Sequence, residues 1–253
     1  MNESPNEREM RRLHRLDTMQ ERANLRLERE RQRINVRFNH ARSQLLRSNI
    51  ELNESQQHII DAALDLLDEG GLNNLSLRKL AQRLDIKAPA LYWHFSSKES
   101  LVDYMAEAIL RTEFTDLTPR ADDTRWQDWL LATCSKLRKA MQSRRDGARV
   151  VAGAHLYPAV SLMKIFEISI ESLTSAGVEE RRADLIVSTA VQYTFGRVIE
   201  EQSSPSIEEI KNIDTATIKD RFPYFARGID RMVDDIYTGY DEYEDALRLI
   251  IGD

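Results

Sequence analysis

The chain contains 253 residues, of which 42% are hydrophobic and 31% are charged, a composition typical of a globular protein with one or two domains. No apolar stretch approaches the roughly 20 residues that a membrane-spanning helix needs, and the N-terminal residues lack the apolar core of a secretory signal, so we expect a cytoplasmic protein with no membrane partner. The single cysteine, Cys134, excludes an internal disulfide framework, and nine Gly with six Pro favour helices over sheets.

The net charge of −6 argues against a nucleic-acid partner, but the distribution of charge along the chain does not. Residues 1–50 contain twelve Arg, no Lys and seven acidic residues, and residues 76–98 contain five basic residues against one acid. The other two segments are acidic, with net charges of −6 for residues 51–75 and −9 for residues 99–253. An acidic body with two basic segments suits a protein that contacts a polyanion with one end only.

The first 50 residues are predicted to form a long charged helix or a partly disordered extension. Residues 6–49 contain neither Pro nor Gly, and apolar residues recur at helical spacing. The apolar seam is interrupted by Gln20, Glu30 and Arg37. Two interpretations therefore stay open: a solvated helix, weakly coiled with another, or an arm that contacts DNA.

The next segment predicts the first helix of a folded domain. Asn53 and Gln56 have the spacing of a capping box, and Gly70-Gly71 predicts the end of the helix.

Residues 76–95, SLRKLAQRLDIKAPALYWHF, predict two short helices joined by a tight turn, a helix-turn-helix. Ser76 begins the first helix, Asp85 lies in the turn, and residues 88–94 form the second helix. The residues predicted to be buried between the two helices are Leu77, Leu80, Leu84, Ile86 and Leu91. Taken alone, the pattern also fits an ordinary pair of packed helices with a solvated basic face.

The remainder of the chain keeps a helical pattern. Ser96 with Glu99 predicts another capping box, which opens a helix that runs to about Phe114. Helical periodicity continues over 124–143, 145–155, 157–175, 178–201, 215–236 and 239–251. Because no alternating strand pattern of useful length is present, the predicted fold class is all-α.

A resemblance to the DNA-binding domain of the tetracycline repressor (TetR) family lies in LSLRKLAQRLDIKAPALYWHFSSKESLVDYMAEAIL, most specifically in LYWHF followed by SSKESL. The ligand-binding half of the same family is similar to WQDWLLATCSKLRKAMQSRRDGARVVAG and STAVQYTFGRVIEEQ. The resemblance covers residues 52–251 and leaves residues 1–50 unmatched. It implies an N-terminal extension (1–50), a three-helix helix-turn-helix domain (51–98) and a helical domain for effector binding and dimerisation (99–253).

The resemblance implies a homodimer on double-stranded operator DNA, with the helix of residues 88–94 of each subunit in a major groove. Lys98, beside the free N–H groups at a helix start, is implied to hold a phosphate. Ala88 and Ala90 replace polar base-reading residues, and a methyl group can contact only a thymine methyl, so the operator should differ from the tetracycline operator. The implied DNA-binding residues are Ser76, Arg78, Lys87, Ala88, Pro89, Ala90, Tyr92, Trp93, His94 and Lys98.

The resemblance also implies an effector site in the second half, with altered chemistry. Val151 and Ala154 stand where the family holds a magnesium–drug chelate with His and Thr, and Glu200 by itself is a poor magnesium site. We therefore expect no metal and no cofactor, and a small apolar or aromatic effector. The candidate effector-binding residues are Phe114, Thr133, Leu137, Val151, Ala154, His155, Gln192 and Glu200.

These features predict a ligand-responsive, DNA-binding transcriptional regulator, a repressor that its effector releases from the operator. Helices 178–201 and 239–251 are predicted to form the intersubunit bundle through Ile186, Val187, Ala190, Val198, Ala246, Leu247 and Ile250. A helical adaptor that does not bind DNA is one alternative, but it leaves LYWHF unexplained. An enzyme is the other: the sequence contains no GxGxxG, GxxxxGK[ST], GxSxG or HExxH motif, and its five His are scattered.

Overall fold

The computed structural model of the protein describes residues 52–203 and 215–252. Within these ranges all regular structure is helical, which confirms the all-α prediction. The predicted long charged helix of residues 1–50 lies outside the described residues. None of the helices in the described ranges combines the length and the apolar character that crossing a membrane requires.

Eleven α-helices follow one another along the described chain. They are α1 (Glu54–Gly70), α2 (Leu77–Arg83), α3 (Ala88–Tyr92), α4 (Lys98–Phe114), α5 (Trp126–Gln142), α6 (Gly147–Ala152), α7 (Val160–Ser175), α8 (Glu180–Ser203), α9 (Thr215–Arg221), α10 (Pro223–Thr238) and α11 (Tyr243–Ile251). A single 3-10 turn, Leu72–Asn74, follows α1.

The start and end of α1 agree with the signals in the sequence. The Asn53 side chain accepts the Gln56 N–H at 2.8 Å, and the Gln56 side chain accepts the Asn53 N–H at 3.2 Å, so both halves of the predicted capping box are present. Gly71 ends the helix with a φ of 72°, and its N–H donates to the Leu67 carbonyl at 2.7 Å.

Several predicted helix limits are wrong; for example, α6 covers Gly147–Ala152 instead of 145–155, α7 begins at Val160 instead of 157, and α11 begins at Tyr243 instead of 239. The N-cap of α4 is Ser97 instead of Ser96, because the Ser97 hydroxyl accepts the Ser100 N–H at 3.1 Å. The second helix of the helix-turn-helix ends at Tyr92, two residues early. The predicted helix 215–236 is two helices, since Pro223 lacks the N–H that would continue the first and instead begins α10.

One continuous hydrophobic core connects α1 with α11. It includes Leu67 of α1, Leu101 of α4 and Leu137 of α5, all completely buried. Cys134 is part of this core, and burial raises the pKa of its thiol to about 12. The cysteine is therefore a small apolar core residue at neutral pH.

Four of the seven apolar residues assigned to an intersubunit bundle are completely buried within the chain itself, so these four do not face a partner, and the bundle of the two helices stays a prediction. Val187, Ala190, Val198 and Leu247 are completely buried, because α8 packs on α5, α7 and α11 of its own chain. Helical periodicity shows an apolar stripe but does not say whether the stripe faces the chain's own core or a partner.

Helix α4 crosses the predicted boundary between residues 98 and 99 and carries two buried carboxylates one turn apart. Asp103 accepts the backbone N–H of His155 at 2.9 Å and contacts its Nδ1 at 3.1 Å. Glu107 accepts the N–H of Ser161 at 2.7 Å and its hydroxyl at 2.9 Å. These bonds hold the segment from His155 to the first turn of α7 against α4.

Burial raises the pKa of Glu107 above its ordinary 4.5, against the opposing effect of the Ser161 hydrogen bonds. A carboxyl group whose pKa rises on folding stabilises the folded state below its unfolded pKa, and that contribution is lost as the pH rises through the folded pKa. Glu107→Gln keeps an acceptor for the Ser161 N–H and removes the titration. We expect the free energy of unfolding of this variant to increase relative to the parent protein between pH 4.5 and the higher pKa that Glu107 has in the folded state.

The measurement is urea unfolding across that pH interval, with Glu244→Gln at an exposed position of α11 as the control. A difference between parent and Glu107→Gln that stays constant with pH contradicts the prediction.

Candidate functional site

Helices α2 and α3 form the predicted helix-turn-helix. The Ser76 hydroxyl accepts the Lys79 N–H at 3.3 Å and caps α2. Asp85 turns the chain with a left-handed φ of 52°, which Asp tolerates better than most residues. Leu80 and Leu91 are completely buried between the helices, as predicted. Ile86, predicted to be buried, is exposed, because the turn that its N–H closes onto the Ala81 carbonyl carries its side chain outward.

The outer face of this motif is basic and carries large aromatic side chains in solvent. The exposed fractions of Tyr92 and Trp93 are 56% and 89%. The other exposed predicted DNA-binding residues are Arg78, Lys87, Pro89 and Ala90, whereas Ser76, Ala88, His94 and Lys98 are half-buried. Large apolar surfaces left in water next to cations mark a binding surface, and a five-residue helix with methyl groups at Ala88 and Ala90 offers few polar groups to base edges.

Two cations near the motif have partners within the chain. Arg83 donates to both carboxylate oxygens of Glu69 at 2.7 Å, which directs it back towards α1. Lys98 begins α4, and its ammonium donates to the Leu72 carbonyl at 3.2 Å. An ammonium group has three donors, so this bond orients Lys98 and leaves two donors for a phosphate.

Four of the eight predicted effector-binding residues come together inside the second half. Phe114 of α4, Thr133 and Leu137 of α5 and Val151 of α6 are buried, and α4, α5 and α6 pack on one another. The Thr133 hydroxyl donates to the Trp129 carbonyl of its own helix at 2.9 Å. The side chains of this group are therefore apolar except for the Thr133 hydroxyl, which already donates to its own helix.

The other four predicted effector-binding residues lie further out. Ala154 is half-buried after α6, and the His155 side chain is 73% exposed while its ring nitrogen contacts Asp103. Gln192 and Glu200 lie on the exposed face of α8, away from the core. In a single chain, exposed Gln192 and Glu200 do not line the same site as buried Phe114 and Val151, whereas Ala154 packs against the core that contains them.

Sequence reasoning missed three acidic residues that hold this region together. Asp103 and Glu107 of α4 face the protein interior. Their spacing of four residues could have indicated that they share one face of the helix. Asp146, before α6, contacts Leu72 seventy-four residues earlier, and no local pattern indicates such a contact. In residues 52–203 and 215–252, no group of three His, Cys, Asp or Glu side chains is arranged to hold a metal ion.

Comparisons with known proteins agree with both halves of this description. Residues 59–105 match the family model described as bacterial regulatory proteins, tetR family, and residues 118–252 match the tetracyclin repressor-like C-terminal domain. The tetracycline repressor protein class C of Escherichia coli is 35% identical over 200 residues, which cover 78% of this chain and 89% of that protein. The class A protein from transposon 1721 of Escherichia coli is 41% identical over 148 residues, or 58% of this chain and 67% of that protein.

A solved structure extends the likeness to three dimensions. A TetR variant from Acinetobacter baumannii AYE in complex with minocycline superposes with a TM-score of 0.60 at 30% identity, covering 80% of this chain and 92% of that one. Because the two family models together span the helix-turn-helix and more than half of the chain, the protein belongs to the tetR family of bacterial regulatory proteins.

Proposed function

We propose that this regulator is a cytoplasmic, homodimeric repressor that binds double-stranded operator DNA through residues 51–98 and a small apolar or aromatic effector through residues 99–253. The observation that carries the DNA-binding part is the exposed face of α2 and α3, where Tyr92 and Trp93 lie in solvent beside Arg78 and Lys87. Basic side chains and the free N–H groups of helix starts bind phosphates and fix the register on the duplex, whereas the short recognition helix meets the bases.

A second copy of the chain as partner is supported by α10. Its side chains Tyr224, Phe225, Met232 and Tyr237 are exposed, and among the described helices α10 packs mainly on its neighbour α9. An amphipathic helix with a large apolar face needs a cover. Exposed Leu185 on α8 and Leu249 on α11 provide further apolar contacts for a symmetric partner.

The apolar character of the effector follows from the side chains that α6 contributes. Val151 is completely buried beside the core, and neither it nor Ala154 offers an oxygen or nitrogen ligand. A metal chelate would lose its inner ligands here, whereas an apolar or aromatic molecule would gain about 25 cal/mol for each Å² of apolar surface that it buries.

Release from DNA follows from the position of α4. Two recognition helices of a dimer must lie about 34–36 Å apart to meet successive major grooves. Helix α4 begins at Lys98 beside the DNA face and ends at Phe114 beside the candidate effector residues. An effector that repacks the Phe114 end would rotate α4, and with it the helix-turn-helix, out of register.

Residues 1–50 are proposed to add phosphate contacts. Their twelve Arg directly precede the DNA-binding domain, and guanidinium groups bind phosphates and narrow minor grooves well. Seven acidic residues in the same segment oppose this role by screening the Arg charges.

The first prediction concerns the DNA face. Tyr92→Ala should abolish operator binding and Lys98→Ala should weaken it, with the dimer folded in both variants, because one loses an exposed aromatic contact and the other a phosphate contact. Lys98→Ala should also lower the salt slope of binding by about one. The measurement is a gel-shift or anisotropy titration against the promoter DNA that flanks the gene.

Matched controls for these variants lie elsewhere on the chain. Tyr157→Ala removes an exposed aromatic side chain after α6, and Lys139→Ala removes an exposed ammonium on α5. Both controls should bind as the parent protein does. Parent-like binding by Tyr92→Ala at matched salt would show that the helix-turn-helix is not the DNA-binding surface.

The second prediction concerns the effector. Tetracycline with magnesium should not release this protein from its operator, because Val151 and Ala154 cannot hold the chelate. The measurement is a titration of magnesium and tetracycline into the protein–DNA complex, with a tetracycline repressor on its own operator as the positive control. Release at micromolar drug would contradict the proposed apolar site.

The third prediction concerns the Arg-rich extension. A truncated protein that starts at Ile50 should bind operator about tenfold more weakly, a loss of about 1.4 kcal/mol, with a flatter salt dependence and an intact dimer. Sedimentation and DNA titration of the same sample separate the two possible roles. Unchanged affinity together with a dimer that dissociates on dilution would assign the segment to dimerisation instead.

A further inference from the structure

A polar interface joins the end of α1 to the turn between α5 and α6. Asp68 of α1 accepts the backbone N–H of Arg145 at 3.0 Å and the guanidinium of Arg144 at 2.6 Å. The Arg145 guanidinium donates to the Glu69 carbonyl at 3.2 Å. The DNA-binding half and the effector half therefore touch here as well as through the continuous helix α4.

The innermost residue of this interface is Asp146. It directly precedes α6 with a left-handed φ of 54°, an unfavourable conformation for a residue with a side chain. Its carboxylate makes no capping bond to α6, although Asp at this position commonly caps its own helix. Instead, its Oδ2 accepts the backbone N–H of Leu72 at 2.7 Å.

The space around Asp146 is closed on the α1 side by a glycine. A Cβ atom placed on Gly71 would lie 2.7 Å from Asp146 Oδ2, closer than non-bonded atoms approach. Gly71 also has a φ of 72°, which favours glycine on its own account. Because Gly71 has no side chain, the Asp146 carboxylate has room to reach the Leu72 N–H.

Leu72 connects Asp146 to the DNA face. Its N–H is held by Asp146, and its carbonyl accepts the Lys98 ammonium at 3.2 Å. The Leu72 carbonyl also accepts the Leu75 N–H at 3.3 Å within the 3-10 turn, so losing the Asp146 contact would change how firmly the carbonyl that orients Lys98 is held. Lys98 is the residue implied to hold an operator phosphate.

We propose that Asp146, in the effector half, is a positioning residue for operator binding and acts on Lys98 through the backbone of Leu72. This inference rests on the proposed function and adds a second route between the halves. Helix α6 has six residues, with Asp146 at one end and Val151 near the other. An effector that moves Val151 shifts a short rigid helix whose other end holds the partner of Lys98.

The test compares two substitutions at Asp146 in the full chain. Asp146→Gly removes the acceptor and accepts the left-handed backbone without strain. Asp146→Asn keeps an acceptor oxygen and also tolerates this conformation. Asp68→Asn is the matched control, because it weakens the same interface without contacting Leu72. Thermal unfolding of each protein without DNA shows whether it is folded.

The readouts are the affinity for the flanking promoter DNA and its salt slope. We expect Asp146→Gly to weaken binding about fivefold and to lower the salt slope by about one, as Lys98→Ala does. Asp146→Asn should stay within about twofold of the parent protein. The double variant Asp146→Gly/Lys98→Ala should bind no more weakly than Lys98→Ala alone, since both changes remove one contact.

Several outcomes would overturn this inference without contradicting the proposed operator-binding function. These are additive losses in the double variant, a parent-like salt slope for Asp146→Gly, or an equal drop in slope for Asp68→Asn. Parent-like binding by Lys98→Ala would also overturn it. If the parent protein itself does not bind the promoter DNA, the proposed function fails, and that result is distinct from all of these.

Discussion

Two buried carboxylates on α4 need hydrogen-bond donors, and His155 and Ser161 of the second half supply them. An unpaired carboxylate in the interior would cost several kcal/mol. Asp103 obtains the backbone N–H of His155, between α6 and α7, and Glu107 obtains the N–H and the hydroxyl of Ser161 in the first turn of α7. This requirement brings α6 against the helix that begins at the DNA face, so the candidate effector residues and the helix-turn-helix share one structural element.

Local signals in the sequence were sufficient for much of the fold. The caps at Asn53 and Ser76 and the left-handed Asp85 are encoded within a few residues, and the structure contains all three. Pro223 is an equally local signal for a break between two helices, but the helical periodicity of residues 215–236 predicts one continuous helix. Local signals do not show which surface an apolar stripe packs against. Val187 is buried in its own chain because α5, α7 and α11 surround α8, and these helices are distant from one another in the sequence.

The DNA-binding part of the candidate site could be predicted from local sequence, whereas the effector part could not. Residues of α2 and α3 could be assigned from the sequence, because a helix-turn-helix is a contiguous motif whose outer face follows from its inner one. The effector side draws on four separate helices, so the sequence suggested Phe114 and Val151 together with Gln192 and Glu200, which lie on an exposed face of α8. Contacts between residues more than seventy positions apart, such as Asp146 with Leu72, leave no periodicity to detect.

The close approach at Gly71 limits how freely the two halves could be recombined. A DNA-binding half transplanted onto a relative's effector half keeps the end of α1 in place only if the recipient presents a carboxylate at the turn before its sixth helix. Conversely, a side chain at Gly71 would come too close to Asp146 Oδ2, so this carboxylate or the end of α1 would have to shift. Chimeric regulators made by exchanging operator-binding segments should therefore be joined so that this glycine and this aspartate are inherited as one unit.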